Sequence, residues 1–451
     1  MQSKTISMTS GSLSKNIIRF SIPLVFSNIL QVLFNMSDIA VVGRWAGSHA
    51  LGSVGSCTIF VTLFTGQLIG MGSGINAITA QCIGARDTGR MRRVIHTSLL
   101  ISLIYGVLLT GLGLLITDWM LGILGTKPEL LDGAALYMKV YLLGMPALAL
   151  YNYGNGVLSA EGDSKRPLYY LAAAGVVNII LNLIFVICFH LSVLGVALAS
   201  VISQYLSAGL ILLRMFRCEP DYRLRLKELR LHGAESRTVL MLGIPAGFQN
   251  AIFALANLFI QSAVNSFDTV MVEGNSAAAN ADALVYDMMA AIYVACTTFI
   301  GQNYGAGKRK RVLKSYLLCI AYAFAAAAVA GVLLLLLFGR QFLSLFTTDA
   351  AVVDAGMKRL RIMAFSYCVS AFMDCTIAAS RGLGKTVIPT IVVILGSCVF
   401  RIFWVYTVFA HYHTILSLYI LYPFSWIMTA AFEILYFRRV YRTELSVLPA
   451  E

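Results

Sequence analysis

The sequence predicts an all-α polytopic membrane protein, and three observations carry that reading. Apolar runs of about 20 to 28 residues recur along the whole chain, each long enough to cross about 30 Å of hydrocarbon as a helix. Of the 451 residues, 59% are hydrophobic and only 12% charged, where soluble domains hold about 45–50% and about 25%. Lipid admits only helices and closed barrels; these runs are too long for barrel strands and do not alternate, so helices remain.

Twelve spans follow, at about 15–43, 51–81, 94–117, 134–160, 167–190, 193–215, 238–265, 277–302, 313–338, 352–380, 386–411 and 413–437. The loops between them alternate in Lys and Arg content. One set contains "GARDTGRMRR", "EGDSKRP", "RMFRCEPDYRLRLKELRLHGAESR", "GAGKRKRVLK", "RGLGK" and "FRRVYR". The other contains "GRWAGSHA", "ITDWMLGILGTKPELLDG", "FHLS", "NSFDTVMVEGNSAAANAD", "FGRQFLSLFTTDAAVVDAGMKR" and "HYHT". About 26 of the 34 basic residues fall in the first set or at the termini, which by the positive-inside rule places that set and both termini in the cytoplasm. The same bias accounts for the net charge of +13 without nucleic acid as a partner. The basic stretch 214–237 reads as a cytoplasmic connector between two halves, or as an interfacial element on anionic lipid.

Nine cysteines stand singly, with no C-x-x-C pair, so they read as small packing residues rather than a disulfide or zinc framework. The polar start "MQSKTISMTSGSLSKN" has no short apolar core followed by a cleavage site, and the first helix is expected to be retained. No H-E-x-x-H, G-x-S-x-G or paired catalytic Asp motif is present, and no enzymatic activity is expected.

An internal repeat organises the chain. A shift of 222 residues lays "FSIPLVFSNIL" on "LGIPAGFQNAI", pairing Pro23 with Pro245 and Asn28 with Asn250, and also pairs Gly162 with Gly384 and Pro167 with Pro389. A shift of 221 pairs "AQCIGARDTGRMRRV" with "GQNYGAGKRKRV", through Gln81 and Gln302, Gly84 and Gly305, Ala85 and Ala306. The chain therefore reads as two homologous six-helix bundles in one orientation: an N-lobe at 1–220, a connector at 221–237 and a C-lobe at 238–451. Parallel repeats of this kind place a substrate path between the halves. Gly84 and Gly305 are expected as helix C-caps, with no binding role.

Charges inside the spans are the functional candidates, since each is expensive in lipid. Asp38 interrupts "LFNMSDIAVVG" in the first span. Asp287 and Asp374 are cavity candidates in the eighth and tenth spans, whereas Asp282 lies near enough to the outer end to be solvated. Arg401 needs a partner, for which Asp374 or Glu433 is expected. His96 is expected at the cytoplasmic interface, after "RMRR".

Several segments, "IP…NMSDIAVVGRWAG", "AQCIGARD", "NGVLSAEGDSKRPLYY…VVNIILNLIFV…GVALASVISQ", "IQSAVNSF" and "FIGQNYGAGK", resemble the bacterial multidrug and toxic compound extrusion (MATE) transporters. The likeness covers nearly the whole chain, in order and in both halves. It implies the MATE/MOP fold of two six-helix lobes around a cavity, and efflux of amphipathic, often cationic compounds in exchange for H⁺ or Na⁺. The family's N-lobe cation pocket falls, residue by residue, on Asp38, on Asn178 and Asn182 of the fifth helix, and on Ser200 of the sixth. Position 182 departs from the family pattern by being Asn rather than Asp, which leaves Asp38 as the single carboxylate and both H⁺ and Na⁺ coupling open. The seventh helix lacks the Glu of the NorM-like branch and offers Gln249 and Asn250 instead, which points to the DinF-like side of the family. Expected partners are drug-like small molecules, the coupling cation and the plasma-membrane bilayer, with the chain acting as a monomer and holding no cofactor or metal. The alternative within the superfamily is a lipid-linked oligosaccharide flippase, which would predict more basic residues inside the spans than Arg401 alone.

Overall fold

The computed structural model describes residues 6–218 and 222–446; the expectations for the two chain ends fall partly outside those residues. The described residues form an all-helical fold. Eleven helices are long and apolar enough to cross a membrane: α1 Leu13–Ala46, α2 Ser48–Ala85, α3 Thr88–Ile123, α5 Lys165–Cys188, α6 Ser192–Phe216, α7 Gly233–Val264, α8 Thr269–Gly305, α9 Arg309–Leu333, α10 Ala350–Gly382, α11 Val387–Tyr412 and α12 Ile415–Leu445. The remaining span, α4, is a pair of segments, Pro128–Leu142 and Met145–Glu161, bent by 46°. Twelve spans thus stand where the apolar runs predict them.

Their ends lie further out than hydropathy alone suggests, because polar first turns are fixed by capping side chains that an apolarity reading does not see. Asp87 accepts the Arg90 N–H at 2.8 Å and starts α3; Asp268 accepts that of Met271 at 2.9 Å and starts α8; Asp349 accepts that of Ala351 at 2.8 Å and starts α10. Of these three starts, that of α8 moves furthest, to Thr269 from the expected 277; α10 starts close to its expected place, and Arg359, grouped with the outer loop, is helical and carried into the protein.

The repeat is visible in the backbone. Gly162 and Gly384, paired by the 222-residue shift, both end a helix with positive φ, +95° and +79°. Arg86 and Gly307, paired by the 221-residue shift, do the same at +56° and +72°. The expected caps Gly84 and Gly305 lie instead inside the last turns of α2 and α8, and the left-handed residue comes two positions later. In the first half that residue is an arginine, held there by its N–H on the Cys82 and Ile83 carbonyls.

The chain divides into two compact units, one taking in Phe26–Ala251, the other Ser7–Val25 and the chain from Ile252 onward. The division falls inside α1 and α7, a few residues after the in-helix prolines Pro23 and Pro245. Within the first unit, α2 and the first half of α7 cross through facing glycine pairs, "GMGSG" (Gly70, Gly74) and "GIPAG" (Gly243, Gly247). A Cβ on Gly70 would land on the Gly247 backbone, and one on Gly74 would lie 2.6 Å from the Gly243 nitrogen. Small-xxx-small pairs permit this approach, which takes the place of a hydrophobic driving force that lipid cannot supply. All nine cysteines are free, and eight are buried or half-buried, consistent with packing roles.

Replacing Gly70 by Ala should force α2 and α7 apart and cost about 1–3 kcal/mol. Thermal unfolding of purified protein in detergent should show a clear drop for Gly70→Ala and little change for Gly111→Ala, whose added methyl meets nothing within 4 Å.

Candidate functional site

Asp38 lies near the end of the α-helical part of α1 and faces α5. The approach of the two helices is set by one missing side chain. Phe34, a turn before Asp38, packs against Gly175, where any Cβ would overlap the aromatic ring. Gly175 is followed at +3 and +7 by Asn178 and Asn182, so one face of α5 presents the contact and both amides to α1.

The predicted pocket residues come together. Asn182 donates from Nδ2 to Asp38 Oδ1 at 2.5 Å and to Asn178 Oδ1 at 3.2 Å. Asn178 donates onward to Ser203 Oγ at 3.2 Å, and Ser203 donates to the Ala199 carbonyl. Ser200 of α6 lies within hydrogen-bonding reach of the Asp38 carboxyl. Ser203 is the member that sequence reasoning missed; it sits one turn beyond Ala199 on the same face of α6. Tyr137 and Tyr141, rings stacked at 5.8 Å, close the site from α4 within electrostatic range of Asp38.

Both donors of the Asn182 amide are used, and its Oδ1 is buried with no partner among the described residues. Asn182 itself is 0% exposed. A buried acceptor left unsatisfied in this way is costly, and natural structures carry few of them. Asn182 Oδ1 is thus an acceptor of the pocket to which no described side chain donates. Both contributing helices also leave α geometry just past it, in π turns at Val42–Ala46 and Ile184–Cys188, a local widening often found at functional sites.

The other candidates lie elsewhere. Asn250 donates to the Gly66 carbonyl at 3.1 Å at the α2–α7 crossing, and the neighbouring Gln249 is buried with its Oε1 unpartnered. Asp287 is half-buried on α8. Asp374 of α10 is also half-buried, near Tyr293 and in the electrostatic field of Arg401 and Arg381.

Three expectations about intramembrane charge need correction. Asp282 is not solvated: it is buried and accepts from Arg359 Nε at 2.7 Å. Arg359, expected in an outer loop, is 8% exposed and also donates to Asn275 Oδ1 at 2.8 Å, which Tyr419 supports with a hydrogen bond at 3.1 Å. Arg401 makes no ion pair among the described residues. Its guanidinium sits over Tyr422 at 4.8 Å, with Phe253 and Trp426 at 5.7 and 5.8 Å, and donates to Ser425 and Asn257. Aromatic faces satisfy a desolvated guanidinium without a second buried charge. Glu433, expected as its partner, is 0% exposed with both carboxyl oxygens unbonded among the described residues. Among the described residues, no group of three or more His, Cys, Asp or Glu is placed to hold a metal ion.

The Asp282–Arg359 pair gives a direct test. Asp282→Asn strands a buried guanidinium and should cost about 3–5 kcal/mol, while Asp282→Leu combined with Arg359→Met should recover most of that loss. Thermal unfolding of the single and double variants in detergent checks both.

Comparison with known proteins agrees with this architecture. The MatE family model matches the chain twice, over residues 23–184 and 245–407, once in each half of the repeat. Two relatives from Bacillus subtilis (strain 168) are similar along most of their length. "Probable multidrug resistance protein YpnP" is 29% identical over 81% of this chain and 81% of its own. "Probable multidrug resistance protein YoeA" is 27% identical over 84% of this chain and 83% of its own. A solved structure described as the outward-facing conformation of a multidrug resistance MATE family transporter of the MOP superfamily superposes with a TM-score of 0.90. It is 25% identical and covers 99% of this chain and 100% of that one. With the fold, the duplicated match and the full-length likeness in agreement, the chain belongs to the MatE family and is a multi-pass membrane transporter.

Proposed function

We propose that the protein is a secondary-active multidrug antiporter in which protonation of Asp38 drives export of amphipathic, often cationic compounds. The observation that carries the coupling is the acceptor-rich chain of Asp38, Asn182 and Asn178, with its one orphan oxygen. The names of the Bacillus relatives support the substrate class.

The geometry favours H⁺ over Na⁺. A hard cation asks for several oxygens turned towards it. Asn182 instead turns its NH₂ towards the carboxylate and its oxygen away, the orientation that suits the unprotonated carboxylate. When Asp38 is protonated, it becomes a donor and needs an acceptor. A half-turn of the Asn182 amide supplies Oδ1 to Asp38 and relieves the orphan. The same rotation changes what Asn178 and Ser203 receive, so the proton's arrival is felt along α5 and α6.

In this reading the external proton enters with the carboxylate accessible from outside and drug release is favoured; the inward-facing state then releases the proton and takes up drug, in alternating access. One elementary charge moved across 100 mV supplies about 2.3 kcal/mol, enough for roughly a fifty-fold gradient.

Purified protein in liposomes, with transport of ethidium or norfloxacin driven separately by a pH and by a Na⁺ gradient, tests the proposal. A pH gradient should drive transport, and Asp38→Asn should reduce it to the level of empty liposomes. Undiminished transport by Asp38→Asn, or transport driven by Na⁺ alone, would overturn proton coupling at this site. A second, graded outcome comes from Asn182→Leu. It keeps the carboxylate but removes its hydrogen-bonding amide, and should lower the coupled rate while leaving drug binding in place.

A further inference from the structure

The basic connector carries a pocket that the transport cycle does not use. Residues 225–232 are pinned onto the first turns of α3. His96, 1% exposed, donates from Nδ1 to the Arg92 carbonyl at 2.7 Å and accepts the Arg225 N–H on Nε2 at 3.0 Å. The ring proton is thereby fixed on Nδ1, and the histidine expected at the interface is a buried clamp. Thr97 adds a second fastening: its hydroxyl donates to the Arg230 carbonyl at 3.2 Å and accepts the His232 N–H at 3.3 Å.

Between the clamp and the connector lies a pocket of about 260 Å³, lined by Arg92, Arg93 and His96 of α3 and by Lys227, Glu228, Arg230 and His232 of the connector, so that one carboxylate stands in a mainly cationic wall. Two acids answer this charge, both already engaged: Glu228 pairs with Arg225 at 3.0 Å, and Glu235 with Arg93 at 2.8 Å. Lys227 and Arg230 are exposed, and neither has an acidic partner among the described ion pairs. Beside them two leucines point outward, Leu226 at 67% and Leu231 at 55% exposure. Cations converging from two backbone segments that are held rigid by buried hydrogen bonds form a phosphate cradle. Exposed leucines next in sequence to these cations, near the start of a membrane-spanning helix, belong against acyl chains.

We propose that this pocket binds a phosphate group, carried by the headgroup of an acidic phospholipid, with Lys227 and Arg230 as its principal contacts and Leu226 and Leu231 seated in the lipid. Bound in this way, the lipid ties the connector to the bilayer at the start of α3.

The test uses the full chain in detergent, titrated with short-chain phosphatidylglycerol, short-chain phosphatidylcholine or inorganic phosphate and followed by thermal stabilisation. Phosphatidylglycerol should stabilise saturably and phosphatidylcholine should not. Lys227→Gln with Arg230→Gln, which leaves the His96 and Thr97 clamps intact, should weaken the phosphatidylglycerol response about thirtyfold, as expected for two basic contacts. Leu226→Ser with Leu231→Ser should weaken the lipid response and leave any response to inorganic phosphate unchanged. Equal responses to the two lipids, or a wild-type response from the double glutamine variant, would overturn the site. A saturable response to inorganic phosphate, lost in the glutamine variant and not exceeded by phosphatidylglycerol, would overturn the lipid as its source.

Discussion

Inside a bilayer no water is available to receive a stray N–H, C=O or charge, and that constraint governs every part of this chain. It makes the backbone helical and leaves the side chains to solve the rest locally. The solutions differ in kind. Asp282 and Arg359 neutralise each other and recruit Asn275 and Tyr419. Arg401 is wrapped in aromatic faces. Asp38 is met by the Asn182 amide and the Ser200 hydroxyl within a chain of neutral groups. The first two balance or cushion the charge, although Asp282 Oδ1 and one guanidinium nitrogen of Arg401 are still buried without a hydrogen-bond partner among the described residues. The third sets a carboxylate among neutral partners only, with no opposing charge in hydrogen-bonding contact among those residues.

The same constraint shapes the packing. Lipid tails are as apolar as leucine, so helices are held together by how closely their backbones approach. Gly70, Gly74, Gly243 and Gly247 serve that purpose between α2 and α7, and Gly175 does so beneath Phe34. These are positions where a larger side chain would remove the contact altogether.

Much of this was legible in the sequence. Apolar runs and the Lys/Arg bias gave the spans, and the internal shift of 221–222 residues marked helix ends that do share left-handed residues. The grouping of Asp38, Asn178, Asn182 and Ser200 followed from family resemblance together with the i, i+4 spacing of the two amides. What stayed hidden has physical reasons. Arg359 reads with the basic residues of the outer loop; its burial depends on Asp282, which lies 77 residues earlier. His96 sits in a basic stretch that looks interfacial, and only the folded connector shows what clamps it. The two glycine pairs are plain in the text as "GMGSG" and "GIPAG", yet nothing in one chain says that they meet across some 170 residues. Ser203 is one of many hydroxyls on α6, and its role appears only when Asn178 is placed against it.

The contact between Phe34 and Gly175 has a further consequence. Phe34 and Asp38 share one face of α1, a turn apart, so the ring and the carboxylate cannot move independently. Any roll of α1 that carries Asp38 away from Asn182 must first lift the ring out of its glycine seat. The width of α5 at residue 175 thus sets the angular position of α1 here, and a side chain at that residue would displace the ring and, with it, the carboxylate one turn on.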